Sequence, residues 1–255
     1  MKGDSARGAG PGRARGSGTR VDQQPGFVLH SYPWRETSLI LDVFTRDHGR
    51  VALVARGAKR PGSHFRGLLS PFSPLAVGWS GRAEIKNLMR VEWVGGLTPP
   101  RGECLLEAFY LNELLVRLLA RGDAHEELFL AYARTLRALS LDAQSAAQAL
   151  LGFELDLLRG IGVAPAFDVL ADGGDVEAHG LYRVDPEHGV VPGAASSGES
   201  LAGGVLLSLA ARDLAAIARE PGAHALLRRL IGYHLRGKPL NTRRILADLR
   251  QISPP

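Results

Sequence analysis

The sequence predicts an α+β fold, in which a five-stranded N-terminal β-barrel precedes an α-helical domain with a small β-hairpin insertion. Three observations carry this. Between Gly26 and Val94, short β-branched and aromatic runs alternate with turn residues. After Thr98-Pro99-Pro100, apolar residues recur instead at the three- and four-residue spacing of amphipathic helices. Charge is segregated along the chain. Residues 1–95 carry fifteen Lys and Arg against seven Asp and Glu, residues 96–220 nine against eighteen, and residues 221–255 seven against one. Two basic ends around an acidic middle point to an anion-binding face assembled from the ends.

Residues 1–25 are mostly Gly, Arg, Ser and Pro. That composition cannot offset its ordering entropy, so a disordered basic tail is expected. It lacks the apolar run of a secretory signal. Segments 27–32, 38–45 and 51–55 then read as strands, the last two joined by the tight turn Arg46-Asp47-His48-Gly49. Segments 75–79 and 83–94 add two more across Ser80-Gly81-Arg82. Five short strands with basic loops suit an OB-fold barrel over 26–97, although an SH3-like barrel meets the same strand count. Phe44, Trp79 and Trp93 are expected in its core.

In 103–120, Leu105, Ala108, Phe109, Asn112, Leu115 and Leu119 share one helical face. Helices are also expected over 126–139 and 143–159, the second stopped by Gly160, Gly162 and Pro165. Segment 166–204 is irregular, with a hairpin from 181–184 back to Val190-Val191 and a small-residue linker over 195–204. Helices at 208–219, 223–236 and 241–251 complete a helical domain over 98–252.

Several functions find no foothold. The single Cys104 supports neither a disulfide framework nor a thiolate zinc site, and a reducing cytoplasm suits it. No stretch approaches the roughly 20 apolar residues that span a bilayer. Gly232-Tyr233-His234-Leu235-Arg236-Gly237-Lys238-Pro239 nearly spells a P-loop, but Pro239 replaces the hydroxyl that would hold Mg²⁺ and the segment ends a helix. His179 and His188, near Asp172, Asp175 and Glu177, lack metal-ligand spacing, and no Gly-x-Ser-x-Gly elbow occurs. No catalytic residue, metal or cofactor is therefore expected.

The cations of the barrel, including Arg35, Arg56, Lys59, Arg60, Arg66, Lys86 and Arg90, are interleaved with aromatics. Single strands are held by such a pairing: a cationic groove along the backbone, and aromatic faces on which bases stack. Trp34 and Phe65, beside loop charge, are the stacking candidates. Arg56-Gly57-Ala58-Lys59-Arg60 is the sharpest phosphate-gripping element. Lys238, Arg243 and Arg244 make a second anion-binding patch. These residues alone fit a general OB-fold RNA-binding protein as well as a DNA-binding one.

FVLHSYPWRETSLILDVFT, GRVALVARGAKR and LLSPFSPLAVGWSGRAEIKNL resemble the RecO family of bacterial recombination mediators. YLNELLVRLL, FELDLLRGIG and LRGKPLNTRRIL continue that resemblance in order, over about residues 26–250. The resemblance implies an OB-fold barrel docked on a helical domain. It also implies binding of single- and double-stranded DNA and ATP-independent annealing of strands coated by single-strand-binding protein. RecA loading together with RecR follows from it too, in a cytoplasmic, nucleoid-associated setting with no membrane partner. Carried over by position, Arg56, Lys59 and Arg60 form the DNA-contacting loop, supported by Arg35, Arg66, Lys86 and Arg90. Recruitment by the acidic C-terminal tail of single-strand-binding protein would need an apolar pocket rimmed by cations, for which Arg117, Arg121, Arg134 and Arg137 are candidates. Many members of the family carry a four-cysteine zinc module where this chain, over 168–192, has no cysteine, so zinc is not expected.

Overall fold

The structure, a computed structural model, describes residues 20–141, 143–196, 198–242 and 244–245. Five strands close a barrel in the order β1-β2-β3-β5-β4: β1 (Arg20–Trp34), β2 (Ser38–Thr45), β3 (Gly49–Ala55), β4 (Leu75–Ser80) and β5 (Ile85–Trp93). The long β1 pairs antiparallel with both β2 and β4, bending at one bulge between Val28 and His30 and another between Val21 and Gln24. Bulges let one strand curve around a small barrel and serve two neighbours. A short parallel seam between β3 and β5, Ala52 to Val54 against Ile85 to Asn87, closes the cylinder.

The tail expected over 1–25 ends sooner than composition suggested. Its residues 1–19 lie outside the described residues, but Arg20 to Pro25 belong to β1, with Val21 opposite Trp79 and Gln24 opposite Val77. Polar residues pair there because the backbone ladder of β4 needs a partner, whatever side chains β1 offers.

Strand alternation sends Val28, Leu41, Val43, Leu53, Val77 and Trp79 into the barrel. The outward face of β2 carries Ile40, Asp42 and Phe44, and the last two are buried all the same. The cover is helical: α1 (Glu103–Leu118), α2 (Glu126–Leu139) and α3 (Ala143–Gly160). Phe27 and Phe44 from the barrel meet Phe129 and Tyr132 of α2, with ring centroids 5.2–6.2 Å apart. Within this apolar contact, Asn112 Nδ2 donates to the Leu29 carbonyl at 2.9 Å, and the Tyr132 hydroxyl donates to Asn112 Oδ1 at 2.5 Å.

Beyond α3 the chain turns at a Schellman cap. Gly162 adopts φ 73°, its N–H donates to the Arg159 carbonyl, and the Val163 N–H donates to the Leu158 carbonyl. The insertion forms a three-stranded sheet of β6 (Leu181–Asp185), β7 (Gly189–Pro192) and β8 (Leu201–Ala202), so the expected linker contributes a strand of its own. The helix expected over 208–219 is instead α4 (Gly203–Ala211) and α5 (Leu214–Ile217). They part at Arg212, left-handed at φ 57°, and Asp213 caps α5 by accepting from the Ala216 N–H. Bidentate contact with Asp156 on α3, at 2.7 and 2.6 Å, holds Arg212 in that turn. Among the described residues the last complete helix is α6 (Pro221–His234); of the helix expected over 241–251, residues 243 and 246–251 lie outside the described residues. Among the described residues, no helix is long and apolar enough to cross a membrane.

Asn112 is 3% exposed, so replacing it orphans both of its partners. Asn112→Leu is expected to cost about 1–3 kcal/mol for each stranded group. Differential scanning calorimetry reads this as a fall of about 2–4 °C per kcal/mol. An unchanged melting temperature would show that the bridge contributes nothing.

Candidate nucleic-acid interface

A hollow of about 880 Å³ opens on the part of the barrel's outer face that the helices do not cover. Ile40, Val54, Ile85 and Asn87 form its floor, and the register shows why: Ile40 pairs with Val54, and Val54 with Asn87, so all face one way. One wall is the β1–β2 turn from Trp34 to Ser38. The other is the loop leaving β3, with Arg56, Gly57 and Arg60.

Backbone chemistry holds the two walls together. The Lys59 N–H donates to the Thr37 carbonyl at 2.9 Å, and the Gly57 N–H to Ser38 Oγ at 3.3 Å. Gly57 takes φ 69°, a conformation that glycine adopts without steric cost, and the Arg60 side chain runs past its bare Cα. Across the hollow, Trp34 stands 44% exposed. The Arg35 guanidinium carbon lies 5.8 Å from the centre of its ring, a cation–π distance. Glu36 is the single acid among the lining residues. None of Arg35, Arg56, Lys59 or Arg60 forms an ion pair with an acid among the described residues, so their charge faces solvent.

The other expected cations divide. Lys59 and Arg66 are exposed on the loop outside the hollow, Arg66 donating to the Pro61 carbonyl. Lys86 sits opposite Leu53, on the face of β5 that Ile85 and Asn87 do not share. Arg90 pairs with Glu92 at 2.6 Å and lies outside the hollow as well. Arg46 and Arg50 are engaged in ion pairs, with Asp47 and Asp42 respectively.

Two aromatic expectations are corrected. Phe65 is 4% exposed and cannot stack a base. With Ala58, Leu68 and Leu69 it plugs the barrel, because the crossover between β3 and β4 must cover apolar ends that five short strands leave open. Trp93, expected inside, is 62% exposed beside Val94. Trp93 is the last residue of β5, opposite Leu75, and shares the face of Val91, but at the strand end it is left uncovered; a bulge at Met89 meanwhile lets both Leu88 and Val91 take core positions. Phe44 and Trp79 are buried as expected.

The second basic patch begins where α6 ends. Arg236 and Gly237 adopt left-handed φ of 53° and 68°, turning the chain toward Lys238 and Pro239. Glu113 of α1 then accepts from the Asn241 N–H, the Thr242 N–H and the Thr242 hydroxyl at 2.8–2.9 Å, capping the helix that starts there. Lys238 and Arg244 are exposed, while Arg243 lies outside the described residues. A hollow of about 820 Å³ separates this segment from α1, lined by Leu118, Ile161, Val163, Leu235 and Pro239 and edged by Arg117, Arg236 and Lys238. His234 also lines it, with Nε2 buried and unpartnered, and burial holds its pKa below the usual imidazole value.

The chain thus carries a cationic OB-fold barrel on a helical domain, and comparison with known proteins identifies the combination. The family model described as Recombination protein O N terminal matches residues 20–97, and Recombination protein O C terminal matches residues 102–244. The DNA repair protein RecO of Ralstonia nicotianae is 51% identical, over 91% of this chain and 86% of its own length. That of Thiobacillus denitrificans is 47% identical, over 93% and 96%. The chain belongs to the RecO family of DNA repair proteins.

Burial pushes the Glu113 carboxyl upward, but the hydrogen bonds from Thr242 and Asn241, with Arg117 beside it, outweigh that and hold it below its ordinary value. A depressed carboxylate stabilises fully above its unfolded value near 4.5 and loses that contribution as pH falls through the folded value. Glu113→Gln is therefore expected to melt below the wild type at pH 7, with the gap closing as the pH is lowered into the acid range. A gap independent of pH would assign the effect to packing alone.

Proposed function

We propose that the protein is an ATP-independent recombination mediator acting on nucleoid DNA in the cytoplasm. It binds single- and double-stranded DNA through the barrel, anneals complementary strands coated by single-strand-binding protein, and assists RecA loading together with RecR. The observation that carries this is the barrel hollow, where Arg35, Arg56 and Arg60 surround an apolar floor and an exposed Trp34.

Annealing brings two polyanions together, and lysine and arginine lower the repulsion by displacing condensed counterions. The barrel holds one strand; the patch of Lys238, Arg243 and Arg244 holds the second. For recruitment, the hollow edged by Arg117, Arg236 and Lys238 suits an acidic tail with an apolar end, since its lining includes no acid. Of the other candidate rims, Arg121 is engaged with Glu84 and Asp42. Arg134 faces a smaller hollow shared with Glu127 and Asp156, and Arg137 lines neither.

Reversing Arg56, Lys59 and Arg60 together to Glu removes three phosphate contacts. The slope of log affinity against log salt for a single strand should flatten by about 2. Annealing of complementary strands coated by single-strand-binding protein, without ATP, should fall with it. A triple variant that binds and anneals like the wild type at matched salt would refute the loop assignment.

A further inference from the structure

We infer that the barrel hollow accepts unpaired bases and excludes duplex, so that a single strand gains base contacts there while a duplex is held by backbone-contacting cations alone. This rests on the nucleic-acid reading above and adds its division of labour.

The floor of the hollow is aliphatic. Ile40 and Val54 are half-buried, and Ile85 is 40% exposed although it sits in a strand. Phosphate gains nothing from such a surface, whereas the flat face of a base does. Trp34 stands exposed on the wall above, with Arg35 against its ring. Asn87 adds an amide whose Oδ1 has no partner. A turn of that side chain offers an acceptor to the Watson–Crick N–H of an unpaired base, a donor taken up by the complementary strand within a duplex. At about 880 Å³ the hollow has the dimensions of a small-ligand pocket. That admits a few nucleotide units and not the cylinder of a double helix, whose bases are stacked on one another. Duplex is left with cations that stand clear of the hollow, Lys59 and Arg66, both exposed on the loop that leaves β3.

The test uses the full chain and three probes of equal length and backbone charge per strand: a single strand, its abasic counterpart and a blunt duplex. The wild type should bind the normal strand about tenfold more tightly than the abasic one, as one or two stacked bases require. Combining Trp34→Ala with Ile85→Ser should bring that ratio close to one while duplex affinity and both salt slopes hold. Lys59→Glu with Arg66→Glu should do the converse, weakening duplex and keeping the ratio. Equal wild-type affinity for normal and abasic strands overturns the inference and leaves nucleic-acid binding intact. Parallel loss of duplex binding in the Trp34 and Ile85 variant also overturns it. If no probe binds the wild type, the function proposed above falls with it.

Discussion

The rest of the structure depends on the way β2 is buried on both sides. Its inward residues fill the barrel, and its outward Phe44, with Phe27 of β1, is covered by Phe129 and Tyr132 of α2. Burying an aromatic side chain is worth about 1.5–3 kcal/mol. Four of them therefore outweigh the roughly 1 kcal/mol net of an ordinary hydrogen bond. Adhesion is hydrophobic. Apolar faces can slide, however, and Asn112 forbids that by linking the Leu29 carbonyl, freed by the bulge in β1, to the Tyr132 hydroxyl. The bulge thus both bends the barrel and presents the acceptor that registers it on the helices.

That junction also sorts the charges. Asp42, 2% exposed on the covered face of β2, draws in Arg50 and Arg121, and Arg50 also donates to the Leu119 carbonyl. A buried carboxylate left without a cation would cost several kcal/mol, so these arginines are committed to the fold. Gly49 marks how close the two parts come: a Cβ there would overlap the Asp123 carbonyl, and its φ is 61°. Toward the other end of that same face of β2, where Ile40 floors the hollow, no acid among the described residues pairs with Arg56 or Arg60. Ligand-facing charge remains where the helices do not reach.

Much of this was legible in the sequence because alternation and helical spacing report burial directly. The pattern of 38–45 marks β2, and that of 126–139 marks α2, with both ends as observed. What stayed hidden depends on partners far along the chain. Phe65 looks like a loop aromatic until the crossover folds back as a plug, and Trp93, in phase with the core residue Val91, looks like core although at the end of β5 nothing covers it. Arg50 and Arg56 look alike as residues. Asp42 separates them, and only the sheet register shows that Asp42 faces the helices. The first residues of β1 carried no β signal, since their pairing is imposed by the unfilled edge of β4.

The acidic middle of the chain gains a role from this arrangement. Glu113, on the helical domain, secures the backbone that follows Lys238, and Arg117 one turn on donates to the Pro239 carbonyl. The start of the basic C-terminal segment is thus held by a partly buried acid, which leaves Lys238 and Arg244 exposed. Such separation would serve the annealing proposed above, in which two like-charged strands are held. Cations neutralised by their own fold release no counterions on binding, and only outward ones contribute to the salt-dependent affinity. Under that reading a chain of modest net charge could grip polyanions at two places, because Asp42, Glu113 and Asp156 are each engaged by an arginine of the fold and not by the outward cations.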